Sequence, residues 1–158
     1  MHGREPPELK SRRDEVSVMD SNENKNVVRR FVNEAINERR DDVLPELFAT
    51  GFVDHLPFPG LPPGIEGFKA LAAGIYKAFP DAKVTIDDLI AEGDRVAERA
   101  TARATHLGDF NGIPPTGRKV SWTEQHLYRF RDGKIVEHWA DVDIAGLMAQ
   151  IGGPVPPR

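Results

Sequence analysis

KVSWTEQHLYRFRDGKIVEHWADV, residues 119–142, decides the fold. Two runs rich in β-branched and aromatic residues flank Asp132-Gly133, a dipeptide whose residues tolerate the positive φ angles of a tight hairpin turn. We read the segment as two antiparallel strands. Side chains alternate between the two faces of a strand. In the first run the even positions carry Val120, Trp122, Glu124, His126, Tyr128 and Phe130. That face is apolar and aromatic, interrupted by one carboxylate and one imidazole. Burying both groups costs several kcal/mol unless they are paired or reach water. A water-accessible cavity removes much of that cost, so this face reads as the wall of a pocket.

The second strand's inward face depends on the loop. A two-residue loop pairs His126 with Trp139 and Glu124 with Asp141. A three-residue loop, Arg131-Asp132-Gly133 with Gly133 left-handed, pairs His126 with His138 and Glu124 with Ala140. The apolar pattern specifies register where one face is buried. Val136, His138, Ala140 and Val142 make a better core face than Ile135, Glu137, Trp139, Asp141 and Asp143. The three-residue loop follows, with Ala140 toward the pocket and Asp141 away from it.

Before the hairpin, residues 95–106 form another strand. Its odd positions carry Arg99, Thr101, Arg103 and Thr105, and its even positions Ala100, Ala102 and Ala104. A flat alanine face lets another surface approach closely, and we read it as the interface of a homodimer formed through the sheet. A Gly93-Asp94 turn joins this strand to "DAKVTIDDLIA". Upstream, apolar residues at 27, 28, 31, 32, 35 and 36 mark a first helix. Asp41 or Asp42 caps a short second one, with Pro45 in its first turn. The apolar set 65, 68, 71, 72, 75, 76 and 79 marks a third helix, stopped before Pro80. "GFVDHLPFPGLPPG" is a strand stub leading into a Pro/Gly loop, and "DIAGLMAQIG" a short closing helix. Helices first and an antiparallel sheet after make the fold class α+β. Residues 1–21, of mixed charge with few apolar groups, read as a flexible N-terminal tail. The domain spans 22–153, and 154–158 form a C-terminal tail.

The 158 residues, 39% hydrophobic and 29% charged, suit one soluble domain. Net charge is −4 with no basic stripe, which speaks against nucleic acid. The absence of cysteine excludes disulfides, thiolate nucleophiles and Cys-type zinc sites. His55, His126 and His138 lack tight ligand spacing, so no metal is expected. No apolar run is long enough for a membrane span, and the N-terminal stretch has no signal-peptide h-region, so a cytoplasmic location is expected.

"NVVRRFVNEAINERRDDV", "THLGDFNGIPPTGRKVSW", "QHLYRFRDGKIVEHW" and "LMAQIGGP" together resemble the SnoaL-like polyketide cyclases of the nuclear transport factor two-like superfamily. The resemblance runs from about Asn26 to Gly152. It implies a cone of three helices on a curved sheet around an apolar pocket. It also implies intramolecular aldol ring closure of a polyketide ester, with no metal or cofactor. The family's pocket histidine falls on His126 and its neighbouring glutamine on Glu124. The family's acid/base aspartate falls on Ala140, and only a one-residue slip brings Asp141 there. The related limonene-epoxide hydrolases use Asp-Arg-Asp; Arg99 matches the arginine, but Thr101 and Ala140 stand where the aspartates belong.

The chemistry expected from these residues has His126 as base and Glu124 holding its tautomer. His138 donates to the developing oxyanion, and Arg99 adds positive charge there. Asp141 is the remaining catalytic candidate. Contacts to a small apolar substrate are expected from Asp54 and His55 at the pocket mouth, and from Thr101, Trp122, Tyr128, Trp139 and Ala140. Two other readings stay open: a noncatalytic small-molecule-binding module, and an enzyme related to pericyclases or epoxide hydrolases.

Overall fold

The computed structural model describes residues 21–55 and 59–154. The tail expected over 1–21 lies outside the described residues except for its last, which is already helical; the C-terminal tail lies outside except for Pro154. Helix α1 (21–30) continues as a π-helical stretch, Phe31–Asn37. It buries Val28, Phe31, Val32 and Ala35, the face marked by its apolar spacing. A 3₁₀ turn, Asp41–Val43, runs into the one-turn helix α2, Leu44–Leu47, with Pro45 in its first turn. The expected aspartate cap is not there: Asp41 and Asp42 lie inside the 3₁₀ turn, and Asp42 Oδ2 instead pairs with Arg40 Nη2 at 3.0 Å.

Strand β1 (Phe48–Asp54) follows, then helix α3 (Gly64–Ala78) and strands β2 (Lys83–Glu92), β3 (Arg95–Thr105), β4 (Lys119–Arg131) and β5 (Lys134–Val142). Helix α4 (Ile144–Ile151) closes the chain. Asp143 caps it by accepting from Gly146 N–H at 2.8 Å, and Gly152 ends it at φ 82°. The curved sheet has the order β1-β5-β4-β3-β2. It is antiparallel except at one edge, where β1 runs parallel to β5 and places Asp54 beside His138.

The hairpin differs from its expected form. Its loop has only two residues, with Asp132 at φ 51° and Gly133 at φ 72°, so Arg131 pairs with Lys134 and Phe130 with Ile135. The register then shifts: Arg129 pairs with Glu137, leaving Val136 as a bulge. The bulge reverses the phase of the strand. Ile135 is fully buried, and beyond Val136 the even residues His138, Ala140 and Val142 face inward. The expected outward position of Asp141 is therefore met by a different mechanism. His126 pairs with Ala140 and Glu124 with Val142, rather than with His138 and Ala140.

The alanine face is also corrected. Ala100, Ala102 and Ala104 are buried on the inner face, Ala102 and Ala104 packed in one cluster with Trp122 and Phe79, and they do not form an exposed interface. Small side chains here let the helical layer lie close to the sheet. The 107–118 loop is tied to the end of α3 by Leu107 and Gly108 N–H groups donating to Ala78 O. Only glycine fits at 108, because a Cβ there would lie 2.1 Å from Lys77 O.

Candidate active site

The inner faces of β4 and β5, with α1, α3 and α4, enclose a cavity of about 150 Å³. The apolar stripe of α3 forms one wall through Phe68, Leu71, Ala72, Ile75 and Tyr76. These residues stay partly exposed because they face the cavity. Phe31, Phe48 and Phe52 add aromatic surface, and Ile144 and Leu147 of α4 close the end. Among the described residues no lysine or arginine lines the space.

One wall is polar, and its groups form a continuous chain. Trp122 Nε1 donates to Glu124 Oε1 at 2.6 Å. Glu124 Oε2 lies 3.1 Å from His126 Nε2. His126 Nδ1 lies 2.9 Å from His138 Nε2, and His138 Nδ1 lies 3.1 Å from Asp54 Oδ1. Three successive hydrogen bonds need three protons. With both carboxylates ionised, those protons make one imidazole neutral and the other an imidazolium. Burial depresses the pKa of His126, but the bond to Glu124 and the charges of Glu98, Glu124 and Asp54 outweigh it, and the net shift is upward. Burial lowers the pKa of His138, and the charge of His126 acts in the same direction against the bond to Asp54. Of the two rings, His126 therefore holds the shared proton more tightly. Tyr128 stacks on both rings, 5.9 Å from His126 and 5.0 Å from His138 between centroids.

The structure thus gathers Asp54, Trp122, Glu124, His126, Tyr128 and His138 in one cavity. Ala140 faces the same side, opposite His126, and offers only a methyl group. Others are placed elsewhere. Arg99 lies on the outer sheet face, where Nε and Nη2 bond Asp88 Oδ2 at 2.9 and 2.6 Å, so it brings no charge to the pocket. Thr101, on the same outer face, donates to Asp87 Oδ2 at 2.7 Å. His55 and Trp139 stack at 4.5 Å, also outside, and His55 Nε2 is 3.6 Å from Glu137 Oε2. Asp141 is exposed, opposite Gln125.

The expected free base nitrogen on His126 is absent, since all four ring nitrogens of the two histidines are engaged in the chain. One buried acid, Glu98, was missed. Its signal was available: it shares the even positions of β3 with the alanines. Among the described residues no cluster of three or more His, Asp or Glu is arranged to hold a metal ion, and no helix is long and apolar enough to cross a membrane.

Helices folded over a curved sheet, with linked carboxylates and imidazoles on an otherwise apolar cavity wall, define an acid–base pocket protein of the α+β class. The family profile of the SnoaL-like polyketide cyclases matches residues 26–151, and the chain belongs to that family. It is 32% identical over 136 residues to aklanonic acid methyl ester cyclase DauD of Streptomyces sp. (strain C5), with 82% of each chain covered. Nogalonic acid methyl ester cyclase of Streptomyces nogalater is 29% identical over 124 residues, covering 77% of this chain and 92% of that one. The crystal structure of IdmH from Streptomyces antibioticus superposes with a TM-score of 0.73 at 37% identity, covering 82% of this chain and 98% of that one.

Proposed function

We propose that this protein closes a ring by intramolecular aldol-type chemistry on a polyketide-like or small apolar ester, without a metal or cofactor. The observation that carries this reading is the hydrogen-bonded chain from Asp54 to Trp122 on the wall of an aromatic cavity. Because the imidazole nitrogens are occupied, substrate meets a carboxylate first. Glu124 lines the cavity two residues from His126 and supplies the carboxylate that Ala140 lacks. Its carboxylate takes a proton from a carbon next to a carbonyl. The resulting enolate carbon attacks an internal ketone, a C–C bond forms, and the C=O π pair becomes an alkoxide. The alkoxide recovers the proton from Glu124, and the chain returns to its starting state. The imidazolium of His126 holds Glu124 in place and offsets its charge.

The test is incubation with polyketide methyl esters in D₂O. Ring closure conserves mass apart from the deuterium exchanged, so retention time and label report it together. Turnover that is lost in Glu124→Gln supports the reading. Tight ligand binding without turnover favours the second reading, a noncatalytic binding module, to which the methyl of Ala140 lends support.

A homodimer formed through the sheet remains part of the proposal, on a different face from the alanines. Ile90, Ala97, Leu127 and Trp139 are cross-strand neighbours in one row over the outer face of β2, β3, β4 and β5. Ile90 is 69% exposed there, and a second copy would cover it.

A further inference from the structure

Glu98 is a buried acid for which the proposed reaction has no use. It sits on β3 directly opposite His126 and is 3% exposed. Its Oε2 accepts from Tyr128 Oη at 2.7 Å, while Oε1 has no hydrogen-bond partner among the described residues. A carboxylate this enclosed with a single donor is costly to keep ionised, unless a positive charge nearby offsets it. His126, its cross-strand partner, is the group placed to carry that charge.

We propose that Glu98 is a positioning residue for this site. Its carboxylate anchors the Tyr128 ring against the two imidazoles and faces His126 with the negative charge that holds the shared proton there. The groups around His126 leave Glu98 a distinct part. Glu124 and Tyr128 come from β4, His138 from β5 and Asp54 from β1. α3 adds the Tyr76 hydroxyl, which donates to Ile36 O, and the cavity residues of α1 and α4 are apolar. Asp54 reaches the pair through His138, and Glu124 is the group that meets substrate. Among the described carboxylates around His126, Glu98 alone is sealed from both water and the cavity. Burial pushes both Glu98 and Tyr128 to titrate higher than usual, and at Glu98 the charge of His126 acts against that rise, toward ionisation.

The inference rests on the acid–base reading only for what the proton is used for; its test involves no substrate. Histidine ring signals of the full chain are followed by NMR from pH 4 to 10 in the wild type, Glu98→Gln and Tyr128→Phe. Glu98→Gln keeps the shape and an acceptor for Tyr128 but removes the charge. It should lower the His126 midpoint by about one pH unit, a tenfold loss of proton affinity. An unchanged midpoint overturns the proposal. Tyr128→Phe keeps the charge and should leave the midpoint above that of Glu98→Gln; an equal fall overturns the assignment to charge. If Glu98→Gln does not fold, the ¹³C carboxyl signal of Glu98 in the wild type decides. Ionised at pH 7, it supports the proposal; protonated, it overturns it. A protein that closes no ring but shows the shifted midpoint refutes the cyclase reading and leaves Glu98's role standing.

Discussion

His126 Nδ1 lies 2.9 Å from His138 Nε2, although the two residues are not cross-strand partners. His126 is opposite Ala140, and His138 is opposite Tyr128. The imidazoles meet on the diagonal because the alanine methyl leaves the space between them open. A carboxylate at position 140 would stand beside His126 and compete for its Nδ1. The missing aspartate and the histidine pair are thus two aspects of one arrangement.

The interior members of the hydrogen-bonded chain should matter more than the exposed acid on the same hairpin. Glu124→Gln is expected to cost roughly 10²-fold or more in turnover, the usual range for a lost proton-transfer group, and His126→Ala a comparable factor by removing the charge that holds Glu124 in place. Asp141→Asn, on the outer face, should cost little. Rates are compared once circular dichroism shows each variant folded. Loss of turnover in Asp141→Asn with an active His126→Ala would rule out this site.

The two histidines should titrate on opposite sides of the ordinary value of about 6.5, His126 above and His138 below. The stability consequences differ in sign. His126 binds its proton more tightly folded than unfolded, so its contribution is complete below the unfolded pKa and is lost as pH rises through the folded one. His138 binds it less tightly, so its contribution is present above the unfolded pKa and is lost as pH falls through the folded one. Denaturant melts of wild type and His126→Gln should therefore differ most on the acid side and converge as pH rises.

Ala102 is fully buried opposite Trp122 and Val84. Ala102→Leu is expected to destabilise the fold by about 1–3 kcal/mol through overpacking. That corresponds to a fall in melting temperature of about 2–4 °C per kcal/mol for a domain of this size. Were the alanine face exposed, the same change would leave the melting temperature nearly unchanged.

The outer apolar row carries the dimer proposal. Sedimentation should show the wild type as a dimer at tens of micromolar, roughly the range where a weak dimer forms. Ile90→Asp, at the exposed end of the row, should shift it to monomer without lowering helix content. A monomeric wild type at that concentration would remove the proposal.

Much of the architecture was legible because its causes are local. The spacing of Val28, Phe31, Val32 and Ala35 defines the buried face of α1. Asp132-Gly133 marks the hairpin, whose strands span Lys119–Arg131 and Lys134–Val142. Asp143 and Gly152 bracket α4 through capping chemistry that each residue carries in itself. The aromatic face bearing Glu124 and His126 was legible as a pocket wall, since unpaired burial of both groups is too costly for a packed core.

The rest was decided by contacts between distant parts of the chain. Alternation along β3 separates alanines from arginines, but not which set faces the core; the helical layer needs the close approach that only Ala100, Ala102 and Ala104 allow, so Arg99 and Thr101 turn outward to Asp87 and Asp88. The bulge at Val136 has no residue signature, because it arises where Ile135 must stay in the core with Phe130 while His138 must also turn inward. Asp54 reaches His138 only through the parallel pairing of β1 with β5, across 84 residues of chain. A hydrogen bond between side chains so far apart in sequence depends on the whole sheet having closed, and no local pattern of residues encodes it.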